Sequence, residues 1–209
     1  MRIIEPHIEI ESDTSQNALL SIIERAGRVC YKSENKITDG SAELFVKRIL
    51  KSGHESVIEH ASVTVRIVCD RGVSHEIVRH RIASYSQEST RYCNYYLDKF
   101  SNELTFIKPC FWSEDTENYK LWLKTLELIE QTYLQMIING AKPQEARSIL
   151  PNSLKTEIFV TMNIREWRHF FRLRTSRAAH PQMRQIAIMI YKEFINRYPI
   201  LFNDLIIET

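Results

Sequence analysis

Residues 62–69 read Ser62-Val63-Thr64-Val65-Arg66-Ile67-Val68-Cys69, with Val63, Val65, Ile67 and Cys69 on one face. A period of two in apolar side chains predicts a half-buried strand. Just after it, Asp70-Arg71-Gly72 predicts a turn. The segment VSHEIVRHR (73–81) then predicts a helix whose last turn is cationic, where positive charge sits well near unpaired carbonyls. Just before it, His54, Glu55 and Ser56 fall in a loop. A helix over 41–51 carries Leu44, Phe45, Ile49 and Leu50 at helical spacing, and Gly53 stops it with a left-handed cap. Further back, Ser12, Asp13 and Thr14 can cap a helix over 15–28, and β-branched residues at 2–10 predict a first strand.

Downstream, a strand at 104–108 ends at Pro109, and a long amphipathic helix spans 113–139 with Trp122, Leu126, Ile129, Tyr133 and Ile137 as its apolar set, closed by Gly140. Pro143 opens a short helix containing Arg147, and Pro151 limits it. A strand follows at 154–162. Asn163 with Glu166 three places on resembles a capping box for a helix over 164–174. A last helix runs from Pro181 to Arg197 and stops before Pro199. With no repeat, low-complexity tract or linker, residues 1–209 read as a single α+β domain.

The 209 residues are 44% apolar and 26% charged, which places the chain among globular proteins. No stretch is long and apolar enough to span a membrane, and MRIIEPHIEIESD lacks the apolar run of a signal peptide, so a cytoplasmic address is expected. The four cysteines (Cys30, Cys69, Cys93, Cys110) are far apart and show no zinc spacing, so reduced thiols that mostly fill the core are expected. His54, Glu55, Glu59 and His60 lack a third placed ligand, so no metal is expected. Trp112, Trp122 and Trp167 read as core or interface residues, although Trp167 falls in a segment that could also meet a cofactor. A net charge of +2 argues against a nucleic-acid module. Such a module would otherwise use Arg79, Arg81, Arg91, Arg165, Arg168, Arg172, Arg174 and Arg177 on the backbone, with Tyr85, Tyr92, Tyr95 and Tyr96 stacking on bases.

The cations cluster at 79–91 and at 165–184. In Arg79-His80-Arg81-Ile82-Ala83-Ser84-Tyr85-Ser86-Gln87-Glu88-Ser89-Thr90-Arg91-Tyr92, forked guanidinium donors alternate with short hydroxyls, a composition suited to phosphate. The stretch resembles the signature of flavin-dependent thymidylate synthases: Arg-His-Arg, seven unspecified residues, then Ser, here Arg79-His80-Arg81 and Ser89. The resemblance extends in order through Gly53-His54-Glu55-Ser56, Glu59-His60, Arg91-Tyr92, Ala146-Arg147, and Asn163-Ile164-Arg165 as far as Arg174.

The resemblance implies conversion of dUMP to dTMP, with FAD as cofactor, 5,10-methylenetetrahydrofolate as carbon donor and NADPH as reductant. It implies a small central, largely antiparallel sheet flanked by long helices, assembling as a homotetramer whose active sites several subunits share. Neither nucleic acid nor a membrane is an implied partner. Ser56, Arg79, His80, Arg81, Asn163, Arg165 and His169 would hold FAD. Arg79, Gln87, Ser89, Arg91, Arg147 and Arg174 would hold dUMP, with Arg174 as the catalytic residue that polarises the uracil ring. Glu76 departs from the Gln that several members carry there. His180 reads as a helix-entry residue before Pro181.

The flavin route needs no thiolate nucleophile, and Cys93 has no activating base among its sequence neighbours. No G-x-G-x-x-G is present, so the FAD phosphates must find donors other than those of a Rossmann fold.

Overall fold

The computed structural model describes residues 1–97 and 100–207. The chain divides into two compact units. Met1–His7, Ile67–Val78 and Ser86–Ile158 form the first, and Ile8–Arg66, Arg79–Tyr85 and Phe159–Thr209 the second.

In the first unit, β1 (Arg2–Ile4) pairs in parallel with β5 (Thr105–Ile107), in the register Ile3 to Phe106. The core gathers Leu104, Phe106, Leu126, Tyr133, Ala146 and Leu154. Helix α4 (Glu117–Ile138) contributes Leu126 and Tyr133, one from each of two successive stretches of its buried stripe. Thr116 caps this helix by accepting from the Tyr119 amide at 3.3 Å, so the helix starts at Glu117, later than the expected 113. Helix α3 (Arg71–Ile77) follows its strand with no intervening turn, because the Asp70 carboxylate accepts from the Val73 amide at 2.8 Å and caps it directly. Helix α3 also ends before Arg79, so the expected cationic last turn does not form. Arg79, His80 and Arg81 lie beyond the helix. Helix α5 (Pro143–Ala146) passes into a 3-10 turn at Arg147–Ile149.

In the second unit, Ser15 caps α1 (Gln16–Val29), while the Ser12 hydroxyl accepts from the Thr64 amide at 2.8 Å. Gly27 lets α1 pass close to Phe45 of α2 (Ser41–Lys51), since a Cβ there would lie 2.5 Å from the Phe45 ring. Gly53, at φ +68°, reverses the chain after α2 as expected. Residues 55–60 are a 3-10 turn rather than an open loop. Helix α6 (Ile164–Arg174) and α7 (Pro181–Arg197) meet across an aromatic cluster of Trp167, Phe170, Phe171, Tyr191 and Phe194, extended by Phe202 from α8 (Pro199–Phe202). Trp167 is fully buried and donates to the Val63 carbonyl at 3.0 Å, which makes it a core residue.

An antiparallel sheet of four strands has the order β2 (His7–Ile10), β3 (Ser62–Asp70), β6 (Lys155–Asn163) and β4 (Ala83–Gln87). Two differences from the sequence reading stand out. The expected strand over 2–10 is broken at Pro6, whose fixed φ and missing N–H suit a break, and its halves join different sheets. Strand β4 falls within the polar stretch 79–92, where no strand was expected. The thiols also differ from expectation: Cys69 is buried, Cys93 partly so, and Cys30 and Cys110 are exposed. No helix among the described residues is long and apolar enough to cross a membrane.

The buried cation Arg168 ties α6 into the second unit. Its guanidinium donates to Asp204 at 2.7 and 2.6 Å, to the Leu201 carbonyl at 2.5 Å and to Glu55 at 3.3 Å. Burial pushes the Glu55 carboxyl upward, but the Arg172 hydrogen bond and the charges of Arg172 and Arg168 outweigh it and hold it below its ordinary 4.5. Asp204 is likewise held below its ordinary 3.8, with Arg168 overcoming the effect of burial. Lowered carboxyl pKa values contribute stability that is present above the ordinary values and is lost as pH falls through the folded-state ones. Removing one partner of a buried ion pair costs about 3–5 kcal/mol. Arg168→Ala should therefore lower the urea midpoint by that equivalent at pH 7 and flatten the loss of stability below pH ~4.5. An unchanged midpoint would mean that the pairs contribute nothing.

Candidate functional site

Residue His80 is 4% exposed and stands between two groups of the second unit. Its Nδ1 lies 2.9 Å from the Glu166 carboxylate, and Arg174 donates from Nε to His80 Nε2 at 3.2 Å. A guanidinium cannot accept and a carboxylate cannot donate, so the ring is neutral with its proton on Nδ1. Burial lowers the pKa of His80, which the Glu166 hydrogen bond opposes and the Arg174 charge reinforces. Phe170 and His169 pack against the ring, with centroids at 5.0 and 5.7 Å. The Tyr85 hydroxyl donates to the His80 carbonyl at 2.5 Å, and burial with the Glu166 charge pushes its own pKa up to about 12.

The ligand atoms of His80, Glu166 and His169 lie within 4.8 Å of one another, close enough to hold a metal ion. The hydrogen bonding speaks against that use. His80 Nδ1 already gives its proton to Glu166, and its Nε2 faces a guanidinium that a cation would have to displace.

The sequence-assigned cofactor residues all fall in the second unit. Ser56, Arg79, Arg81, Arg165 and His169 are exposed, Asn163 is half-buried and His80 is buried. Asn163 caps α6 through Oδ1, accepting from the Glu166 amide at 2.8 Å, which leaves its amide donors for other partners. Only half of the expected capping box forms, because the Glu166 carboxylate turns to His80. Arg165 is ion-paired with Glu59 at 2.5 Å. His80 offers no open ring nitrogen.

Of the sequence-assigned substrate residues, Gln87, Ser89, Arg91 and Arg147 lie in the first unit, and Arg79 and Arg174 in the second. The Gln87 amide nitrogen points inward, donating to Ser74 Oγ at 2.9 Å and Thr156 Oγ1 at 3.1 Å. Ser89 Oγ accepts from the Arg91 amide at 3.3 Å, while the Arg91 guanidinium donates to Gln144 at 3.3 Å and lies over the Tyr92 ring. Among the described residues, the exposed side chains of Arg79, Arg81 and Arg147 make no hydrogen bond or ion pair.

The contrast along α6 is informative. Arg165, Arg168 and Arg172 are committed to Glu59, Glu55 and Asp204. Tyr95 is buried on Glu88 and Tyr85 is bonded to His80, which removes both from a base-stacking row. His180 stands at the N-terminal boundary of α7, as its place before Pro181 suggests. Burial raises the thiol pKa of Cys69 and of Cys110, which disfavours the thiolate at both.

Sequence reasoning missed Glu166, Tyr85, Ser74 and Thr156 as supports of the site. Glu166 carried a signal, but it was absorbed by the capping-box reading.

Residues 14–200 match the family model described as "Thymidylate synthase complementing protein". A Pyrococcus furiosus protein named flavin-dependent thymidylate synthase is 39% identical over 178 residues, covering 85% of this chain and 72% of that protein. A Corynebacterium aurimucosum protein of the same name is 32% identical over 220 residues, covering 97% of this chain and 86% of that one. Among solved structures, the UMP/dUMP methylase PolB from Streptomyces cacaoi, bound with 5-Br dUMP, aligns over 97% of this chain and 96% of its own, with a TM-score of 0.77. At 22% identity that likeness is one of fold. The chain belongs to the flavin-dependent thymidylate synthase family of enzymes.

Guanidiniums without a protein partner contribute little to folding and are open to a ligand. Arg79→Ala and Arg147→Ala should each leave stability within about 0.5 kcal/mol of the parent. Each should weaken binding of a nucleoside monophosphate by about 1.5–3 kcal/mol, the worth of a charge-assisted hydrogen bond. Calorimetric titration beside a urea melt checks both. Full affinity in either variant would remove that arginine from the anion site.

Proposed function

We propose that the chain methylates dUMP to dTMP at C5, with bound FAD as cofactor, 5,10-methylenetetrahydrofolate as carbon donor and NADPH as reductant. The observation that carries this reading is the set of exposed guanidiniums, Arg79, Arg81 and Arg147, that have no partner among the described residues in a chain of this family. Forked donors of this kind suit the oxygens of a nucleotide phosphate or of a pyrophosphate.

The donor set fits FAD. Arg79 and Arg81 are open, the Ser56 hydroxyl is exposed, and Asn163 retains its amide donors. His80 would serve this cofactor by supporting its neighbours rather than by donating to it, because both ring nitrogens are engaged. When bound, the reduced flavin supplies the hydride that completes the methyl group.

The nucleotide falls to Arg79, Gln87, Ser89, Arg91, Arg147 and Arg174 in this reading. C5 of uracil is a poor nucleophile, and a guanidinium near N3 and O4 stabilises the negative charge that builds there as C5 attacks the incoming carbon. Arg174 takes that role. The raised thiol pKa values of Cys69 and Cys110 agree with a route that uses no protein thiolate.

The reading includes one domain across residues 1–209 and a homotetramer with shared sites. On α4, Leu121 and Leu128 lie two turns apart and are 65% and 64% exposed, an apolar face that another copy of the chain would cover. Sedimentation at four chain masses is expected, and a stable monomer with full activity would dispose of shared sites.

Anaerobic incubation of the FAD-loaded protein with dUMP, methylenetetrahydrofolate and NADPH should yield dTMP, and none formed by the folded protein would overturn the function. Arg174→Ala should slow the single-turnover step by about two to three orders of magnitude, the cost of one such donor, while weakening dUMP binding far less. Arg174→Lys should recover little, since a point charge cannot address two ring atoms as the fork does. A rate within a few-fold of the parent would reduce Arg174 to its place at the end of α6, worth about 0.3–1 kcal/mol.

A further inference from the structure

We propose that Glu166 is a positioning residue for Arg174, acting through the tautomer of His80. The inference rests on the reading above, in which Arg174 faces the uracil.

Glu166 stands in the first turn of α6 and Arg174 is its last residue, eight positions on. That separation is about 12 Å along the axis. His80, supplied by the segment after α3, bridges it. The Glu166 carboxylate takes the Nδ1 proton at 2.9 Å, which leaves the Nε2 lone pair as the only ring acceptor, and Arg174 Nε donates to it at 3.2 Å. Holding Nε fixes the plane in which the two Nη groups lie.

Each link in the chain is itself held. Asn163 Oδ1 accepts from the Glu166 amide, Tyr85 donates to the His80 carbonyl, and Phe170 packs on the imidazole.

The two neutral tautomers of an imidazole place donor and acceptor on opposite nitrogens, and a hydrogen bond to a carboxylate is strong enough to choose between them. Without that acceptor, the proton can move to Nε2. Two donors then face each other, Nε2–H against the Arg174 Nε–H, and the hold of His80 on the Nε of Arg174 is lost. A carboxylate that only favoured the N-terminus of α6 would affect helix stability and leave the tautomer alone.

The decisive readout is the His80 tautomer in FAD-loaded protein carrying 15N-labelled histidine, seen in long-range proton–nitrogen correlations and assigned by comparison with His80→Gln. The parent should show His80 protonated on Nδ1. Glu166→Leu should move the proton to Nε2, and Glu166→Gln, whose amide can accept or donate, should give a mixture. An Nε2–H ring in the parent, or an unchanged ring in folded Glu166→Leu, would overturn the proposal.

Turnover supplies the second arm. Glu166→Gln should lower kcat by about 10–100-fold, the usual cost of losing an orienting partner behind a working group, with KM for dUMP changed only a few-fold. In an Arg174→Ala background the same substitution should cost little more, because its effect runs through Arg174. Independent, multiplying losses would overturn the proposal even if Glu166→Leu fails to fold. Should the parent make no dTMP, the functional reading falls, while the tautomer measurements still decide the role of Glu166.

Discussion

The Arg168 guanidinium, 2% exposed and bonded to Asp204, Glu55 and the Leu201 carbonyl, is the interaction on which the second unit depends. A buried cation is tolerated only when its donors are met, so two other pieces of chain, one carrying Glu55 and one carrying Leu201 and Asp204, must come to it. Once they do, α6 can sit in only one way. Trp167, Phe170 and Phe171 face the aromatic core, and Glu166 and Arg174 are left on the side where His80 arrives. The basic character of α6 therefore has two uses. Its central arginines bind the fold together, and its terminal arginine, Arg174, donates to the buried His80.

The same division between structural and open cations supports the functional reading. Paired guanidiniums are spent on carboxylates of the chain itself, whereas Arg79, Arg81 and Arg147 are exposed and without a partner among the described residues. Leaving such groups unpaired contributes nothing to folding, which is reasonable where a phosphate is to be met. Family membership across residues 14–200 points the same way.

Much of this was legible in the sequence because the clearest elements obey a hydrophobic period. Strand β3 and helices α1, α2, α6 and α7 fall within a residue or two of their expected bounds, and Asn163 caps α6 as its type suggests. Strand β4 was not legible, since its period of two is written in polar residues: Ser84 and Ser86 face outward, while Tyr85 and Gln87 are half-buried through hydrogen bonds. The break at Pro6 was missed, since the strand was expected to run unbroken over 2–10, and the assignment of its two sides to different sheets depends on distant pairing partners, β5 for β1 and β3 for β2. Glu166 was hidden by an ambiguity of type: a Glu at that position of a helix is a good cap, and only the arrival of His80 gives its carboxylate another task. The gathering of Arg79 to Arg81 beside α6 residues in one unit likewise comes from tertiary packing that no local pattern encodes.

The central claim is that uracil is activated by a fixed guanidinium in a flavoprotein and that no thiolate of the chain is needed. Replacing Cys30, Cys69, Cys93 and Cys110 together by serine tests it most directly, with dTMP formation measured in the folded, FAD-loaded variant. Turnover within about tenfold of the parent is the predicted result, since the thiols then matter only through packing. Loss of dTMP formation in a variant that keeps its fold, its FAD and its affinity for dUMP would contradict the account.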